Sequence, residues 1–557
     1  MKKNKIFSLL AAASLLISVP SCTNLDESIY DKLPAESFGS TPIEINALVG
    51  TCYNTLKRVF PSDGLTMSEA AGSVMIYPTR IGGDWWDGGQ YMQMFMHTYT
   101  NMTSCNRGAW NAAMESIGTC NANLNTVEGS EMPDKEQKAA EIKGIRAYWY
   151  YYLIDKWGNI PMVTDYNNKE LPTNSTRADA YNWLVTEVNS LIPNLMEASD
   201  NGSYGKFTKA SAHALLAKLY LNAEAWGMGD KYTLAAEEAE KVIKDPGLQL
   251  LDNWKDNFSW NNSGNKESIL CAQYSSGDTR NQNSLHFRTL GYVENQAIGA
   301  SFGAWNGFCA QPEYVKLFMH DPSKASDPDY TYYDDPDNDP RIASFRLGMQ
   351  YKLGTKEILL TGKNLPMNHY AEVFPLNGTE KDGTLWREVQ QQDGGRVGKW
   401  EYDASLTSAM NNDFAIFRLA DFYLVRAEAL LRSNGDVAEA TKLVNAVRSR
   451  AWGDDKHNYA TVTLDDVQLE RRLELAWEGV SREDDIRFKC YDKDMWEMFR
   501  AGVSNDLDNN GMPKSITPNA FPWARKSDKY LELFPIPFSA WQTNPKLVQN
   551  PGYPAFN

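Results

Sequence analysis

Three segments of the chain share one helical pattern, and this pattern limits the folds open to it more than any other feature. Residues 216–225 and 419–429 both contain Leu-Ala-x-x-Tyr-Leu followed by Ala-Glu-Ala, and residues 145–157 form a third, aromatic-rich segment that ends at Gly158. Alanines placed among large side chains let two helices approach closely, and such helix pairs stack into tetratricopeptide-like arrays. The repeat predicts a mainly α protein with a tetratricopeptide-like scaffold of helix pairs.

The chain alternates between helical and irregular stretches. Helical patterns extend over about residues 41–246 and 414–490, whereas about residues 247–410 are rich in Gly, Asn, Asp and Pro and have little periodicity. Nothing between these stretches has the composition of a free linker. We therefore expect a single domain over residues 22–557, with a helical scaffold and a large irregular, loop-rich half.

Residues 1–21 have the pattern of a secretory leader, with three lysines near the start and an apolar or small run over residues 6–19. The sequence before Cys22 resembles a bacterial lipobox, in which the cysteine is acylated and becomes the new N-terminus. An ordinary secretory leader with an incidental cysteine is the alternative. The acidic pair Asp26 and Glu27 resembles the surface-export signal of some Gram-negative lipoproteins. We expect Cys22 to carry a lipid anchor in the outer membrane and the protein to face the cell exterior.

The charge and hydropathy of the chain exclude two classes of protein. The formal net charge is −16, and removal of the leader lysines makes the mature chain more acidic still. Because attraction to phosphates supplies most non-specific affinity for nucleic acid, we expect no nucleic-acid binding. No apolar run after the leader reaches the roughly 20 residues that a membrane-spanning helix needs.

Six cysteines follow Cys22 at irregular spacings, without a CxxC pair or the ligand spacing of a zinc site. An exported protein can form disulfides, but irregular spacing favours small buried side chains at most of these positions. The six residues are Cys52, Cys105, Cys120, Cys271, Cys309 and Cys490.

Two patterns invite a catalytic interpretation. Residues 299–303 match G-x-S-x-G, but a nucleophile elbow needs a strand before the serine and a helix after it, and the sequence predicts loop on both sides. Glu470, Glu474 and Glu478 recur every fourth residue of one predicted helix and could serve as the carboxylates of a glycoside hydrolase. Arginines are interleaved with them, so ion pairs with neighbouring elements are the stronger interpretation. We expect no enzymatic activity.

A calcium loop is the only cofactor site that the sequence suggests. Residues 506–511 match the first half of such a loop, but position twelve is Thr517 where a bidentate glutamate is usual. The acidic run at residues 334–339 is a weaker match. We therefore expect no cofactor and keep one structural Ca²⁺ as a hypothesis. Its ligands would be Asp506, Asp508 and Asn510.

Four separated stretches of the chain resemble one family. In chain order they read RAYWYYYL and WGNIPMV from residue 146, RLADFYL and NAVRSRA from residue 418, ERRLELAWEG from residue 470, and FPIP and QNPGY from residue 534. These blocks are similar to those of the SusD/RagB family of outer-membrane nutrient-binding lipoproteins. Ser481 and Asp485 depart from the family pattern, which often has Arg and Leu there.

The resemblance implies both a fold and a function. It implies a tetratricopeptide-like helical scaffold that carries an irregular ligand-binding half, in a protein without enzymatic activity. Such a protein captures an extracellular oligo- or polysaccharide at the cell surface and delivers it to a TonB-dependent outer-membrane transporter. A peptide-capturing member of the same family and a secreted glycoside hydrolase are the alternatives that the sequence leaves open.

Two clusters of aromatic residues lie in polar loops and are the best candidates for ligand contact. Bulky rings in such loops have no core to serve, and sugars stack on flat ring faces while polar neighbours bind their hydroxyl groups. The second cluster lies in the middle segment, where the family tends to place its binding aromatics. The predicted glycan-binding residues are Arg80, Asp84, Trp85, Trp86 and Asp87 in the first cluster, and Tyr292, Trp305 and Asn306 in the second.

Overall fold

Long helices occupy the two outer parts of the chain in the computed structural model. The structure describes residues 39, 41–77, 85–278, 283–325, 327, 329–362, 364–371, 394–491 and 526–556. The helices are α1 (Pro42–Thr55), α2 (Asp63–Glu69), α3 (Gln90–Met96), α4 (Ser104–Glu128), α5 (Lys135–Trp157), α6 (Arg177–Leu191), α7 (Lys209–Asn222), α8 (Tyr232–Ile243), α9 (Leu285–Thr289), α10 (Asn295–Ile298), α11 (Pro312–Lys316), α12 (Leu419–Arg432), α13 (Val437–Trp452), α14 (Leu464–Leu475), α15 (Ser481–Arg487) and α16 (Phe538–Thr543).

Helix α5 is buried on all sides and forms the centre of the helical scaffold. Every side chain from residue 139 to residue 157 except that of Lys143 is shielded from solvent, including the charged side chains of Arg146 and Asp155. The indole Nε1 of Trp149 donates to Thr55 Oγ1 at 3.0 Å, so burial leaves this polar group satisfied. The helix ends at Gly158, whose φ of +68° a side chain would disfavour.

Neighbouring helices pack against each other in the order of the chain. α4 packs against α5 and α5 against α6, α7 packs against α8, and α12 packs against both α13 and α14. α8 also packs against α12, so the helices from the two outer parts of the chain form one scaffold. The predicted mainly α, tetratricopeptide-like scaffold is confirmed.

The two copies of the Leu-Ala repeat differ at their ends. In the second copy, residues 427–429 lie inside α12, whereas α7 ends at Asn222 and residues 223–225 form a turn. Met228 N donates back to Ala223 O at 2.7 Å. Gly227 has a left-handed φ of +82°, which ends the helical path. The expectation that both copies are helical throughout is therefore wrong for the first.

The middle of the chain is built from short elements. Among the described residues from 247 to 410, no helix is longer than five residues. The strands pair antiparallel in twos, and the pair Met75 with Ala310 ties the irregular half to the N-terminal helices. The strands are β1 (Met75–Ile76), β2 (Ile160–Pro161), β3 (Asn174–Ser175), β4 (Ser268–Ala272), β5 (Cys309–Ala310), β6 (Phe345–Arg346), β7 (Gly348–Met349), β8 (Asn368–His369), β9 (Arg396–Val397) and β10 (Phe414–Arg418).

A cluster of buried ion pairs, which we call the charged seam, joins the irregular half to the last long helices. Arg418 Nη1 lies 2.7 Å from Glu267 Oε1 and 2.8 Å from Glu474 Oε1. Arg341 Nη1 lies 2.6 Å from Glu470 Oε1. All these side chains are almost completely buried. The charged seam consists of Glu267, Arg341, Lys399, Arg418, Arg450, Glu470, Glu474 and Glu478.

The predicted ion pairing of the three glutamates is confirmed, but their placement on one helix is wrong. α14 ends at Leu475, and Trp477 adopts a φ of +70°, which turns the chain away from the helix axis. Glu478 therefore lies beyond the helix, where its Oε1 accepts a hydrogen bond from Lys399 Nζ at 2.6 Å. Because these carboxylates neutralise buried cations, they are structural groups rather than a catalytic pair.

The last described residues, 526–556, pack onto the N-terminal helices. Asn106 Nδ2 on α4 donates to Pro535 O at 2.8 Å, and Asn550 Nδ2 donates to Trp157 O at the end of α5 at 2.7 Å. This C-terminal segment therefore packs against the N-terminal helices α4 and α5.

The six cysteines after Cys22 all lie in described parts of the chain, and none of them forms a disulfide. Five are buried and Cys490 is half-buried, in accord with the expectation of small buried side chains. No helix within the described ranges combines the length and the apolar character that crossing a bilayer requires.

Candidate functional site

The two predicted aromatic clusters meet around one cavity, which we call the aromatic cavity. Trp85 and Asp87 come from the first cluster, and Tyr292 and Trp305 come from the second, more than 200 residues later in the chain. The cavity has a volume of about 470 Å³, within the range of small-ligand pockets. Its lining residues are Trp85, Asp87, Tyr91, Arg288, Tyr292 and Trp305.

The remaining predicted residues do not line the aromatic cavity. Trp86 is half-buried beside it, and Asn306 uses its side-chain oxygen to bind Arg396. Arg80 and Asp84 lie outside the described residues.

Two indole rings form the wall of the aromatic cavity. Trp85 Nε1 donates to Trp305 O at 2.7 Å, and the centroids of the two rings are 6.2 Å apart. Trp305 stacks on Phe287 with ring centroids 5.0 Å apart and planes inclined by 17°, and it is still 48% exposed. One ring of the pair is thus held in place by its neighbours while much of its surface remains open to a ligand.

Backbone hydrogen bonds fix the loop that carries Trp305. Trp305 N donates to Phe287 O at 2.7 Å, and Phe308 N donates to Arg288 O at 3.0 Å, so the loop runs alongside α9. At Gly307 the two backbones approach so closely that a Cβ would lie 2.2 Å from Arg288 O and 2.6 Å from the Trp85 ring. Only glycine fits this position without displacing one of them.

The buried guanidinium group of Arg396 forms hydrogen bonds with the same loop. Its Nη1 donates to Thr289 O at 3.1 Å and to Gly307 O at 3.0 Å, and its Nη2 donates to Asn306 Oδ1 at 2.8 Å. Arg396 is completely buried. Sequence reasoning missed this residue because it lies in a short strand with no pattern that points to a site. A charge-assisted network of this kind fixes the loop before a ligand arrives.

Arg288 and Tyr91 add polar groups that sequence reasoning also missed. The Nε of Arg288 is buried and has no hydrogen-bond partner in the described parts of the chain. Burial raises the pKa of Tyr91 far above its usual value, so the phenol stays neutral and keeps its proton. Asp87 is exposed at the rim of the cavity. The aromatic cavity therefore offers ring faces together with hydrogen-bond donors and one carboxylate acceptor.

Neither catalytic pattern noted in the sequence is assembled by the described residues of the aromatic cavity. Among the described lining residues, Asp87 is the only carboxylate, whereas glycoside hydrolysis needs two carboxyl groups on opposite sides of the scissile bond. The G-x-S-x-G segment is not a nucleophile elbow, because the short helix α10 rather than a strand precedes it. The expectation of loop on both sides is wrong on this N-terminal side, where α10 ends at Gly299 with a φ of +75°.

Metal ligation has one candidate cluster within the described ranges. Ligand atoms of His320, Asp335 and Asp337 lie within 4.8 Å of one another, and the two aspartates belong to the acidic run noted above. Asp335 already accepts a hydrogen bond from Tyr330 OH at 2.8 Å, and His320 and Asp337 are exposed. The predicted calcium ligands Asp506, Asp508 and Asn510 lie outside the described residues.

Two family models match the chain. One, described as the SusD family, matches residues 266–553, and the other, described as "Starch-binding associating with outer membrane", matches residues 25–221. A SusD-like protein of Bacteroides ovatus is 27% identical over 406 residues, which are 70% of this chain and 66% of that protein. Starch-binding protein SusD of Bacteroides thetaiotaomicron is 26% identical over 456 residues, or 77% of this chain and 75% of that protein.

Solved structures share the fold over nearly the whole chain. Surface glycan-binding protein A from Bacteroides thetaiotaomicron, in complex with laminarihexaose, has a TM-score of 0.66 at 18% identity and covers 92% of this chain and 100% of its own. A laminarin-binding SusD-like protein has a TM-score of 0.65 at 22% identity, with coverage of 92% and 100%. At these identities the likeness concerns the fold.

The matched stretches agree with the blocks found in the sequence. The first family model alone spans more than half of the 557 residues, from β4 of the irregular half to the C-terminal segment. The second spans the N-terminal helices as far as α7. This chain belongs to the SusD family.

Proposed function

We propose that this chain is a surface-exposed lipoprotein that binds an extracellular glycan in the aromatic cavity and hands it to a TonB-dependent outer-membrane transporter. In this role it catalyses no reaction. The observation that carries the proposal is the meeting of Trp85, Tyr292 and Trp305, from loops far apart in the chain, around one preformed cavity.

Ring geometry favours a carbohydrate as the ligand. Pyranose and furanose rings have flat faces of C–H groups that stack on indole and phenol rings, while their hydroxyl groups need donors and acceptors at the edge. Trp305 supplies an exposed ring, Arg288 supplies donors, and Asp87 supplies an acceptor. The printed names of two similar proteins, one starch-binding and one bound to laminarihexaose, point to the same ligand class.

A peptide ligand remains the second candidate for this family. Peptides are usually held by backbone hydrogen bonds to an exposed strand edge or by apolar pockets. The aromatic cavity is lined by rings and charged groups, and no strand is among its described lining residues. This composition supports the glycan over the peptide.

The test is calorimetry of the purified full-length protein in detergent against a panel of polysaccharides and peptides. Trp305→Ala should weaken binding of the cognate glycan by about 5- to 150-fold, by analogy with the roughly 1–3 kcal/mol of a stacked base. Tyr166→Ala is the matched control, because Tyr166 is 45% exposed and lies away from the aromatic cavity. Binding of peptides but of no glycan, or equal glycan affinity in wild type and Trp305→Ala, would contradict the proposal.

Anchorage and delivery complete the proposal. Cys22 lies outside the described residues, so its acylation rests on the lipobox-like sequence alone. A binding protein that neither transports nor transforms its cargo needs a channel to receive it. The resemblance supplies a TonB-dependent transporter, and the description of the second family model speaks of association with the outer membrane.

A further inference from the structure

A second and larger cavity lies in the irregular half, where it faces the end of α13. Its volume is about 880 Å³, compared with about 470 Å³ for the aromatic cavity. We call it the second cleft and define it by the side chains that matter here. They are Lys255, Tyr333, Glu401, Tyr402, Trp452 and His457.

The aromatic rings of the second cleft are held in place by bonds inside the protein. Tyr333 OH donates to Phe345 O at 2.6 Å and accepts from Leu347 N at 2.8 Å. The hydroxyl group thus already acts both as donor and as acceptor inside the protein. Tyr333 is nevertheless 54% exposed, so its ring is open to contact with a ligand. Tyr402 OH likewise donates to an internal carbonyl, that of Val397, at 2.9 Å.

A flat platform borders the cleft on the side of the helical scaffold. The rings of Trp452 and His457 stack with centroids 3.5 Å apart and planes inclined by 15°. Trp452 is the last residue of α13, and His457 lies in the loop that follows. The second cleft thus has ring surfaces on two sides, contributed by the irregular half and by the scaffold.

The charges of the second cleft balance. Its lining includes three basic and three acidic side chains besides His457, so the formal charges of these six groups cancel. Some of these charges are already paired, Lys456 with Asp454 and Arg346 with Glu294. A purely apolar ligand would nevertheless remove water from the charged groups without offering them hydrogen bonds, which is costly. A neutral ligand with many hydroxyl groups suits both the rings and the mixed rim. The charged residues are Lys255, Arg346 and Lys456, and Asp335, Glu401 and Asp454.

One loop separates the two cavities. Tyr292 and Trp305, at either end of residues 292–305, line the aromatic cavity. Ala297 and Ile298, in α10 between them, line the second cleft. A polymer that crosses this loop reaches both cavities, and the second contact then forms at the high effective concentration set by the first.

We propose that the second cleft is a second carbohydrate-binding site, which engages a further part of the same neutral polysaccharide that occupies the aromatic cavity. The proposal rests on the proposed function, since it presupposes a glycan ligand. It predicts that the protein holds a polymer at two points and a short oligosaccharide at two independent sites.

The test measures stoichiometry and affinity of the full-length protein by calorimetry. The probes are the polysaccharide that the wild type binds best and the tetrasaccharide cut from it. We expect two tetrasaccharides per wild-type protein and one per protein for Tyr333→Ala or for Trp305→Ala. Loss of either site should also weaken binding of the polysaccharide by about tenfold or more, because the effective-concentration gain disappears.

Two variants separate ring contact from a change of structure. Tyr333→Phe keeps the ring but removes the two hydroxyl hydrogen bonds that hold it, so it should keep the wild-type stoichiometry, with a polymer affinity between those of the wild type and Tyr333→Ala. Tyr166→Ala again serves as the exposed-tyrosine control and should behave as wild type. Equal losses in Tyr333→Phe and Tyr333→Ala would overturn the second site by assigning the effect to folding.

The remaining outcomes distinguish this proposal from the proposed function. One tetrasaccharide per wild-type protein, sensitive to Trp305→Ala but not to Tyr333→Ala, would overturn the second cleft and leave the aromatic cavity supported. A wild-type protein that binds no glycan of the panel would overturn both.

Discussion

Three residues of the candidate site hold backbone conformations that side chains disfavour. Trp85, Asp87 and Asn306 have φ values of +58°, +40° and +52°, in the left-handed region that glycine tolerates best. Each such residue costs on the order of 1 kcal/mol or more and persists only where the surroundings enforce it. At Asn306 the enforcing group is Arg396, which binds the side chain and the adjacent carbonyl. At these three residues the strain lies where a ligand would be bound.

At the same scale, Gly307→Ala should weaken glycan binding. The new methyl group would lie 2.2 Å from Arg288 O and 2.6 Å from the Trp85 ring, so the ring or the backbone must move. We expect glycan affinity to fall by about tenfold, roughly 1.4 kcal/mol, with the α-helical circular dichroism unchanged. Gly303→Ala is the control, because its Cβ would meet nothing within 4 Å in the same loop. Equal affinities for the two variants would show that the Trp85 position does not matter.

Some residues of the aromatic cavity could be predicted from their local sequence, and others could not. Trp85 and Trp305 stand out because large rings among glycines and polar residues fit no core pattern. Tyr91 and Arg288 lie in short helices, α3 and α9, and their sequence neighbours give no reason to single them out. They reach the aromatic cavity because the Trp305 loop folds back along α9, a contact that no local pattern encodes.

Among the elements, the charged seam makes the stability of the fold depend on pH. Burial acts to raise the pKa of Glu474, but the guanidinium groups of Arg450, Arg418 and Arg341 outweigh it and hold that pKa below the ordinary value of 4.5. A carboxylate whose pKa is lower in the folded state stabilises the fold above its unfolded pKa, and that stabilisation is lost as the pH falls.

We therefore expect the free energy of unfolding to decline as the pH falls below about 4.5, the unfolded pKa of a glutamate. Glu474→Gln should lower stability at pH 7 by about 3–5 kcal/mol, since it leaves buried arginines without a full counter-charge. It should also flatten the decline at acid pH. Urea unfolding between pH 3 and pH 7 measures both effects. A variant with the same slope as the wild type would contradict the assignment.

The ends of elements were harder to predict than the elements themselves. Alanine and aromatic spacing suffices for α5, α7 and α12, because it reflects close helix packing along the whole segment. The end of α14 at Leu475 depends instead on Trp477, which is fully buried and contacts the rings of Phe308 and Phe345 at centroid distances of 5.8 Å. These partners belong to the irregular half. The end of α14 is therefore set by contacts with residues more than 100 positions away in the sequence.

For the whole molecule, the proposal predicts where the protein is found and with what. Wild-type protein should partition with membranes and, after extraction in mild detergent, co-purify with a TonB-dependent transporter through an interface larger than about 1,200 Å². Cys22→Ala should lose membrane partitioning, because the acyl chains that hold the anchor cannot be attached. Fractionation followed by affinity purification and mass spectrometry is the measurement. Equal partitioning of both proteins, or recovery of the chain alone in several mild detergents, would contradict it.

The C-terminal segment has a consequence for the order of biogenesis. Asn106 and Trp157 form hydrogen bonds with Pro535 and Asn550, so the N-terminal helices can complete these contacts only after residues 526–556 have been synthesised. Contacts of such sequence separation also slow folding. The proposed secretory leader would send the chain through a translocon in an unfolded state. On that route, the native contacts that need residues 526–556 could form only after these residues had crossed the membrane.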